Sequence, residues 1–358
     1  MKKLGLFIGC VLGLCVVVMG CGNRDAGEAD LDVVKESGLE SSEDIVIGFS
    51  QIGAESDWRS SNTESMRETF SAGNGYRLLL EDGQQKQANQ IMAIRTFIQQ
   101  DVDYIVLAPV VETGWETVLQ EARDAQIPVI LVDRMIDVSD DSLYTAWVGS
   151  DFLLEGRRVG EWLNQFLTAK GIENANVVNI QGTIGATAQI GRTRGLERAC
   201  TSHGNMTLLA EVSADFTQAK AREVMDSLLR EYEDINVVYC ENDNEAFGVI
   251  EAIENSGRAV GSDIAAGEIM VVSFDGVNEK ALQYVMEDKI SCVAECNPLH
   301  GPRVQAVIED LEAGKSVERF SYVDESVYVH DDTVQSVVVD DIEYPMKVVS
   351  KDLLDESE

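Results

Sequence analysis

Short apolar runs recur along the chain, and segments with helical periodicity separate them. The runs lack a polar face, which is typical of strands in a parallel sheet that is covered on both sides. They are found at 45–49, 76–80, 104–108, 129–132, 177–180, 208–212, 237–239 and 269–274. Between them apolar residues recur at helical spacing, as at Ile91, Ile94 and Ile98. This alternation predicts an α/β fold built on doubly wound parallel sheets.

The alternation divides into two similar halves. The first cycle ends near Gly149-Ser150-Asp151, and the second begins with a predicted helix over 152–167. A chain of 358 residues is long enough for two domains of ~100–200 residues each. We therefore predict two α/β lobes, and we expect a ligand to bind beyond the carboxyl ends of their strands.

Residues 1–20 have the pattern of a secretory signal, with two lysines ahead of an apolar run at 4–19. The run ends in Val18-Met19-Gly20-Cys21, which resembles the lipobox of bacterial lipoproteins. That resemblance implies that Cys21 is acylated and becomes the mature N-terminus. The alternative is a transmembrane helix, but the run is shorter than the ~20 residues that a span needs.

Residues 21–43 are acidic, small and mostly aperiodic, which predicts a flexible tether. The whole chain has 63 acidic and 28 basic residues, for a net charge of −35. Such a surface repels phosphate backbones, so nucleic acid is not an expected partner. We expect an exported protein that is lipid-anchored to the outer face of the cytoplasmic membrane, or a periplasmic one.

Four cysteines remain beyond the signal and Cys21: Cys200, Cys240, Cys292 and Cys296. In an exported protein they could form disulfides in three pairings or stay as buried free thiols. A strand separates Cys292 and Cys296 too far for a direct bridge. Zinc is not expected, because there is no C-x-x-C and the three histidines are scattered.

Polar and aromatic side chains follow the predicted strands or lie in the next helix. In the first half of the chain they are Ser56, Trp58, Arg59, Asp82, Glu112, Asp133 and Arg134. In the second half they are Asp151, Arg192, Phe216, Asn242, Asp275, Glu295 and Asn297.

This combination of side chains suits a sugar. Sugar hydroxyls both donate and accept hydrogen bonds, as Asp, Asn and Arg side chains require. The C–H faces of a sugar pack on aromatic rings such as Trp58 and Phe216. Each single residue has an alternative as a cap or turn residue, and Asp57, Asp151 and Asn242 could each be a helix N-cap.

Ordered strings of residues also carry a resemblance to a known family. They include Gly48-Phe49-Ser50-Gln51, Gln84-Gln85-Lys86-Gln87, Pro109-Val110-Val111-Glu112-Thr113-Gly114-Trp115, Val132-Asp133-Arg134, Gly149-Ser150-Asp151-Phe152, Asp215-Phe216-Thr217 and Glu295-Cys296-Asn297-Pro298. Over residues 45–330 the chain resembles the periplasmic galactofuranose-binding proteins of bacterial ABC sugar importers. More broadly it is similar to the ribose-binding type of sugar-binding protein.

The resemblance implies a type I periplasmic binding protein fold, in which two doubly wound parallel-sheet lobes are joined by three crossing segments. The crossings would fall near Ser150, Asn297 and Asp324. The implied boundaries are 44–150 with 297–324 for the N-terminal lobe, 151–296 with 325–345 for the C-terminal lobe, and 346–358 for an acidic tail. Residues 331–358 match nothing in the family and are expected to form a surface extension.

The resemblance also implies the ligand contacts. Asp133 and Arg134 match a pair that grips sugar hydroxyls, and Trp58 and Arg59 match an aromatic-bearing loop. The matching second-lobe contacts are Arg192, Phe216, Asn242 and Asp275. Ribose binders carry Gln near the last crossing, where this chain has Glu295 to Asn297, and this departure favours the galactofuranose-like subgroup. Weaker candidates are Ser56, Asp82, Glu112 and Asp151.

The sequence therefore predicts a monomeric solute-binding lipoprotein that captures a monosaccharide between two closing lobes and delivers it to an ABC transporter permease. We expect no cofactor, no metal and no enzymatic activity. Three alternatives stay open: a sugar-sensing lipoprotein that reports to a membrane receptor, a glycoside-cleaving enzyme with Asp133 and Asp275 as paired carboxylates, and an α/β domain without a small ligand.

Overall fold

A computed structural model describes residues 44–277 and 279–355. The predicted signal at 1–20, the lipidation site Cys21 and the tether at 21–43 lie outside the described residues. Among the residues that are described, no helix combines the length and the apolarity that a bilayer span requires.

The described residues form fifteen strands and ten α-helices. The strands are β1 (Ile45–Gln51), β2 (Tyr76–Asp82), β3 (Tyr104–Leu107), β4 (Val129–Val132), β5 (Ala146–Gly149), β6 (Ala175–Gln181), β7 (Met206–Ser213), β8 (Val237–Cys240), β9 (Met270–Asp275), β10 (Cys292–Glu295), β11 (Phe320–Tyr322), β12 (Val327–Val329), β13 (Ser336–Val339), β14 (Ile342–Pro345) and β15 (Lys347–Val348). The helices are α1 (Asp57–Thr69), α2 (Gln87–Gln99), α3 (Glu116–Asp124), α4 (Phe152–Ala169), α5 (Thr187–His203), α6 (Gln218–Glu231), α7 (Asp243–Asn255), α8 (Glu279–Met286), α9 (Gly301–Glu312) and α10 (Lys351–Asp355).

The strands build two large sheets, one in each lobe. The first has the order β11-β5-β4-β3-β1-β2 with every pair parallel. The second has the order β15-β12-β10-β9-β8-β6-β7, in which β12 runs antiparallel to β10. Each apolar run of the sequence forms a strand, and all residues of β3, β4, β8 and β9 are buried. The predicted α/β fold with two doubly wound lobes is confirmed.

Three segments of the chain cross between the lobes. They connect β5 to α4, β10 to α9 and β11 to β12. After the second crossing, α9 packs against α1 of the first lobe, and after the third the chain returns to the second sheet as β12. The crossing segments therefore include Ser150, Asn297 and Glu325, close to the three predicted positions.

The C-terminal residues differ from the expected surface extension. Strands β13 and β14 form an antiparallel hairpin, and Val337 and Val339 are buried in the core of the second lobe. Strand β15 pairs with β12, and the neighbouring Val349 is buried as well. The segment reads as acidic because Asp340 and Asp341 form the turn of the hairpin and Glu343 lies on β14, whereas the two buried valines of the hairpin belong to β13.

Close packing of α4 against α5 brings Glu155 and Arg192 together in the second lobe. A Cβ atom at Gly195 would overlap the backbone of Gly156 on the facing helix. Glycine at this crossing therefore lets the two helix backbones approach each other, and this approach sets the depth at which Arg192 is buried.

The four cysteines within the described residues are free thiols. Cys240, Cys292 and Cys296 are buried and Cys200 is half-buried. The structure therefore favours the second of the two possibilities that the sequence left open.

Candidate functional site

A cavity lies between the lobes, at the carboxyl ends of the strands of both sheets. It is lined by Glu55, Ser56, Trp58, Arg59, Asp133, Arg134, Phe152, Ala188, Arg192, Phe216, Asn242, Asp275 and Cys296. These residues end or follow eight strands, β1 and β4 to β10, so the topology of both sheets brings them together.

Arg59 and Asp133 form the centre of the first-lobe wall. Arg59 lies in the first turn of α1, where Ser56 caps the helix by accepting its backbone N–H at 3.2 Å. Its Nη2 donates to Asp133 Oδ2 at 2.6 Å, and its Nε donates to Glu55 Oε1 at 3.0 Å. Two carboxylates thus fix the plane of the guanidinium in a buried position.

The charges around Asp133 keep it ionised. Burial alone would raise the pKa of Asp133, but the positive charges of Arg59 and Arg134 outweigh burial and hold the pKa below its ordinary value. Asp133 is therefore an acceptor for hydroxyl groups at neutral pH. Its backbone has a φ of 63°, a turn that places the side chain over the end of β4.

Arg134 joins the first-lobe wall to an aromatic ring of the second lobe. Its Nη1 donates to the carbonyl oxygen of Val110 at 3.0 Å, and its guanidinium carbon lies 5.2 Å from the ring centre of Phe216. Burial and the neighbouring Arg59 lower the pKa of Arg134 to about 10. The residue still carries its charge at neutral pH and can donate to a ligand.

Arg192 is the central cation of the second-lobe wall. Its Nε donates to Glu155 Oε2 at 2.8 Å, and its Nη2 lies 3.2 Å from Asp275 Oδ1. The guanidinium also stands 5.5 Å from the ring centre of Phe152 and 4.8 Å from that of Phe274. Two carboxylates and two rings therefore hold this buried arginine in a single orientation.

Asp275 differs from Asp133 in its electrostatics. Burial raises its pKa to about 7, and the favourable charge of Arg192 offsets burial only in part. Close to neutral pH this carboxyl group can be either a donor or an acceptor, whereas the ionised Asp133 only accepts.

Phe216 and Asn242 complete the second-lobe wall. Phe216 has a φ of 62° and lies over Gly182, where a Cβ atom would overlap its ring. Asn242 caps α7 by accepting from the backbone N–H of Glu245 at 2.8 Å, and its Nδ2 donates to the Phe216 carbonyl oxygen at 3.2 Å. Asn242 is therefore an N-cap, the alternative expected from the sequence, and it also lines the cavity.

Trp58 reaches across from the first lobe to the second crossing segment. Its Nε1 donates to the carbonyl oxygen of Cys296 at 2.7 Å, and Arg59 lies 4.7 Å from its ring centre. The ring of His300 meets it edge-on with 5.6 Å between the ring centres. The indole is therefore fixed as one aromatic wall of the cavity, near Phe152 and Phe216.

The cavity offers charged donors, carboxylate acceptors and aromatic rings close to one another. A ligand with several hydroxyl groups around an apolar ring can satisfy all three kinds of group. The positive charges of Arg59 and Arg134 are balanced by Glu55 and Asp133 in the same wall, so the first-lobe wall favours a neutral ligand.

Most of the site residues predicted from the sequence meet in this cavity. They are Ser56, Trp58, Arg59, Asp133, Arg134, Arg192, Phe216, Asn242 and Asp275. Their convergence follows from the parallel topology, because every one of them follows a strand end or opens the next helix.

Two other predicted contacts, Glu295 and Asn297, lie in the second crossing segment and not along the cavity. Glu295 Oε2 accepts from the backbone N–H of Ser326 at 2.9 Å, and Asn297 Oδ1 accepts from Leu299 N–H at 2.9 Å. The chain is extended here, so Cys296 between them faces the opposite side and lines the cavity instead.

The remaining weaker candidates also lie away from the cavity. Asp82 is exposed and accepts from Gln84 N–H at 2.7 Å, and Asp151 is exposed and caps α4 through Leu154 N–H at 2.9 Å. Glu112 is half-buried and is not among the cavity residues.

Sequence reasoning missed four residues that line the cavity: Glu55, Phe152, Ala188 and Cys296. Glu55 carries a usable signal, because it stands four residues before Arg59 and one turn of helix brings such a pair together. Phe152 resembles any other apolar residue of α4, and nothing in its spacing separates it from the core.

The fold and the cavity define a class of protein, the two-lobed α/β binding proteins that enclose a small ligand between their lobes. Residues 47–299 match the family model described as "Periplasmic binding protein domain". The chain therefore belongs to the periplasmic binding protein family.

Three known proteins illustrate the similarity. The chain is 39% identical to the galactofuranose-binding protein YtfQ of Escherichia coli (strain K12) over 291 residues, which cover 80% of this chain and 88% of that one. A Mycobacterium smegmatis structure in complex with β-D-fucofuranose is 36% identical, with a TM-score of 0.76 and coverage of 81% of this chain and 92% of that one. The binding component of the arabinose ABC transporter from Shewanella sp. ANA-3, bound to α- and β-L-arabinofuranose, is 37% identical, with a TM-score of 0.73 and coverage of 80% and 93%.

Proposed function

We propose that this chain is an extracytoplasmic solute-binding lipoprotein that captures a galactofuranose-like monosaccharide between its lobes and delivers it to an ABC importer. The observation that carries the proposal is the cavity itself. It brings Asp133 and Arg134 of one lobe and Asn242 and Asp275 of the other to the lining of one cavity.

The proposed contacts divide between the lobes. Asp133 accepts from sugar hydroxyls, while Arg59 and Arg134 donate to them. From the second lobe, Arg192 and Asn242 donate, and Asp275 donates or accepts a hydrogen bond according to its protonation state. Trp58 and Phe216 pack on the C–H faces of the ring.

Contacts between the lobes around the rim support capture by closure. The backbone N–H of Met135 in the first lobe donates to Thr187 Oγ1 of the second at 3.1 Å. The backbone N–H of Glu112 donates to the carbonyl oxygen of Gly185 at 3.2 Å. Both lobes supply polar groups to the cavity, so a sugar contacts both sets only when the lobes meet.

A five-membered sugar ring is favoured by the similar proteins. Each of the three is 36% or more identical to this chain, and their names or bound sugars specify a furanose or a galactofuranose. We extend that ring form to this chain as part of the proposal, together with import by an ABC transporter.

Binding without catalysis is the function that the carboxylates support best. Glu55 and Asp133 are both held by Arg59, and Asp275 lies beside Arg192. A glycoside-cleaving pair needs one free nucleophile or base and one acid beside the scissile bond. Carboxyl groups fixed by arginine side chains serve as hydrogen-bonding partners of ligand hydroxyls instead.

Export and anchoring complete the proposal and rest on the sequence. The signal at 1–20 directs the chain out of the cytoplasm, and lipid on Cys21 retains it at the membrane, with residues 21–43 as the tether. The lobes would then work outside the cytoplasmic membrane, where they can hand a sugar to a permease.

Calorimetric titration with D-galactose, L-arabinose, D-ribose, D-glucose and D-xylose tests the function. We expect D-galactose to bind through its small furanose fraction. The intrinsic Kd for that form should be micromolar or tighter, which corresponds to a binding free energy of about −8 kcal/mol or better. D-Glucose should give no heat. Heat from no sugar, or equal heat from all five, would contradict the proposal. Turnover of a sugar by the purified protein would favour the enzymatic alternative.

A further inference from the structure

Glu325 lies where the three crossing segments of the chain meet. It belongs to the third segment, between β11 and β12. Its Oε1 accepts from the Ser150 hydroxyl of the first segment at 2.6 Å and from the backbone N–H of Asn297 in the second at 2.8 Å. One carboxylate oxygen thus connects all three segments that join the lobes.

A second set of contacts connects Glu325 to the sugar cavity. Cys296 Sγ lies 3.3 Å from Ser150 Oγ. The carbonyl oxygen of Cys296 in turn accepts from Trp58 Nε1 at 2.7 Å, so the chain of contacts runs from Glu325 to an aromatic wall of the cavity.

We propose that Glu325 is a positioning residue for sugar capture, because its carboxylate holds the crossing segments in the arrangement that places Cys296 and Trp58 against the ligand. This proposal rests on the proposed sugar-binding function. The two hydrogen bonds of Glu325 go to different crossing segments. Both bonds are therefore kept only in one position of these segments relative to each other. Loss of these bonds favours the form in which the lobes are apart, and it lowers the fraction of the protein that is ready to bind a sugar.

The surroundings of Glu325 suit hydrogen bonding better than ion pairing. The carboxylate of Glu155, the thiol of Cys296 and the carboxylate of Glu325 lie within 4.8 Å of one another. Burial raises the pKa of Glu155 and Cys296, and burial together with the charge of Glu155 raises the pKa of Glu325 to about 8. At neutral pH the Glu325 carboxyl group and the Cys296 thiol are therefore favoured in their neutral forms.

The charged groups that face this cluster come from the neighbouring helices and from β9. Arg158 on α4 donates through Nη1 to the carbonyl oxygen of Glu325 at 2.8 Å. Arg192 on α5 pairs with Glu155 and, through Nη2, with Asp275 at the end of β9. Two arginines thus bound the cluster. Hydrogen bonds hold both the backbone carbonyl group and the side chain of Glu325.

Three variants and one matched control test the role of Glu325. Glu325→Ala removes both hydrogen bonds, Ser150→Ala removes one, and Glu325→Gln keeps an amide oxygen that can accept both. The control is Glu343→Ala, because Glu343 also accepts from a serine hydroxyl at 2.6 Å, but in the exposed β13–β14 hairpin. Each variant of the full chain is titrated with D-galactose in the presence of EDTA, its association and dissociation rates are measured, and its ligand-free form is examined by small-angle X-ray scattering.

We expect Glu325→Ala to raise the Kd for D-galactose about 5- to 30-fold, mainly through faster dissociation, and to enlarge the ligand-free radius of gyration. Ser150→Ala should give a smaller change in the same direction. Glu325→Gln and Glu343→Ala should stay within about 3-fold of the wild type.

The proposal is overturned if a folded Glu325→Ala protein keeps the wild-type radius of gyration and dissociation rate, or if Glu325→Gln is as impaired as Glu325→Ala. An affinity that changes when EDTA is omitted would also overturn it, since a cation would then hold the cluster. If the wild type binds no D-galactose, the proposed function fails, and the scattering of the ligand-free variants still decides the role of Glu325.

Discussion

Trp58 Nε1 in the first lobe donates a 2.7 Å hydrogen bond to the carbonyl oxygen of Cys296 in the second crossing segment. The bond fixes an aromatic wall of the cavity to the second crossing segment. The position of this wall therefore depends on the arrangement of the crossing segments as well as on packing within the first lobe.

Substitution of Trp58 by Phe tests this relationship. The variant keeps an aromatic surface and loses the hydrogen bond, so we expect the Kd for D-galactose to rise about 5-fold, or about 1 kcal/mol. The matched control is Trp115→Phe, because Trp115 Nε1 donates to the carbonyl oxygen of Val111 at 2.7 Å in the first-lobe core. Calorimetry should show an unchanged Kd for the control, and an equal loss in both variants would exclude a specific role for the Trp58 bond.

Arg134→Ala should weaken sugar binding more strongly. Removal of a buried charged donor leaves its ligand partner without a hydrogen bond, which costs about 2–3 kcal/mol, or a 30- to 150-fold rise in Kd. Arg95→Ala is the control, since Arg95 forms an exposed ion pair with Glu121 on the surface of the first lobe. Wild-type affinity in a folded Arg134→Ala protein would remove Arg134 from the site.

Stability should fall as the pH rises from about 5 to 8. Burial raises the pKa of Glu241 to about 8, while in the unfolded chain this carboxyl ionises near its ordinary value of 4.5. The free energy of unfolding is therefore highest below pH 4.5 for this group and decreases through pH 8, by on the order of 2–4 kcal/mol. Glu325, with a pKa of about 8, acts in the same direction.

Urea unfolding of Glu241→Gln between pH 5 and 8.5 measures this contribution. The variant should show a smaller loss of stability over that interval, because Gln cannot ionise. Glu64→Gln, at an exposed position on α1, should follow the wild-type pH profile. A wild-type slope in Glu241→Gln would show that Glu241 does not titrate in the native state.

His300 should contribute the opposite pH dependence of stability in the acidic range. Burial lowers its pKa to about 4, below its ordinary value of 6.5. Its contribution to stability is present above pH 6.5 and is lost as the pH falls toward 4, because the unfolded chain takes up the proton first. His300→Phe should reduce the loss of stability between pH 6.5 and 4, which unfolding curves at several pH values can check.

The buried thiols should resist alkylation in the native protein. Burial raises the pKa of half-buried Cys200 to about 11, and it raises the pKa of Cys240, Cys292 and Cys296 well above its ordinary value. Since the thiolate is the reactive form, iodoacetamide at pH 8 should label Cys200 slowly and the other three only after unfolding. Mass spectrometry locates the label, and rapid native labelling of Cys296 would contradict its burial between the lobes.

The sequence predicted the features that depend on periodicity. A strand that is buried on both faces, such as Val129–Val132, can consist of apolar residues alone, and helices between the strands keep a regular apolar spacing. Parallel strands all direct their carboxyl ends to one edge, so nine of the predicted site residues could be identified from their positions after strands.

The features that the sequence did not predict depend on single side-chain directions. Glu295 and Asn297 flank Cys296, and a change of one residue along an extended segment reverses the face of the side chain. The sequence gives no indication that Glu325 contacts Ser150, because 175 residues separate them and the contact exists only once both lobes have formed. The β13–β14 hairpin was missed because the acidic residues of its turn, Asp340 and Asp341, gave the segment an acidic composition.

The most direct test of the account is the electron density of a crystal grown with D-galactose. We predict one five-membered sugar ring in the cavity, with Asp133 and Arg134 contacting it from the first lobe and Asn242 and Asp275 from the second. A six-membered ring, a sugar held by one lobe alone, or an empty cavity in crystals of a protein that binds D-galactose in solution would contradict the account.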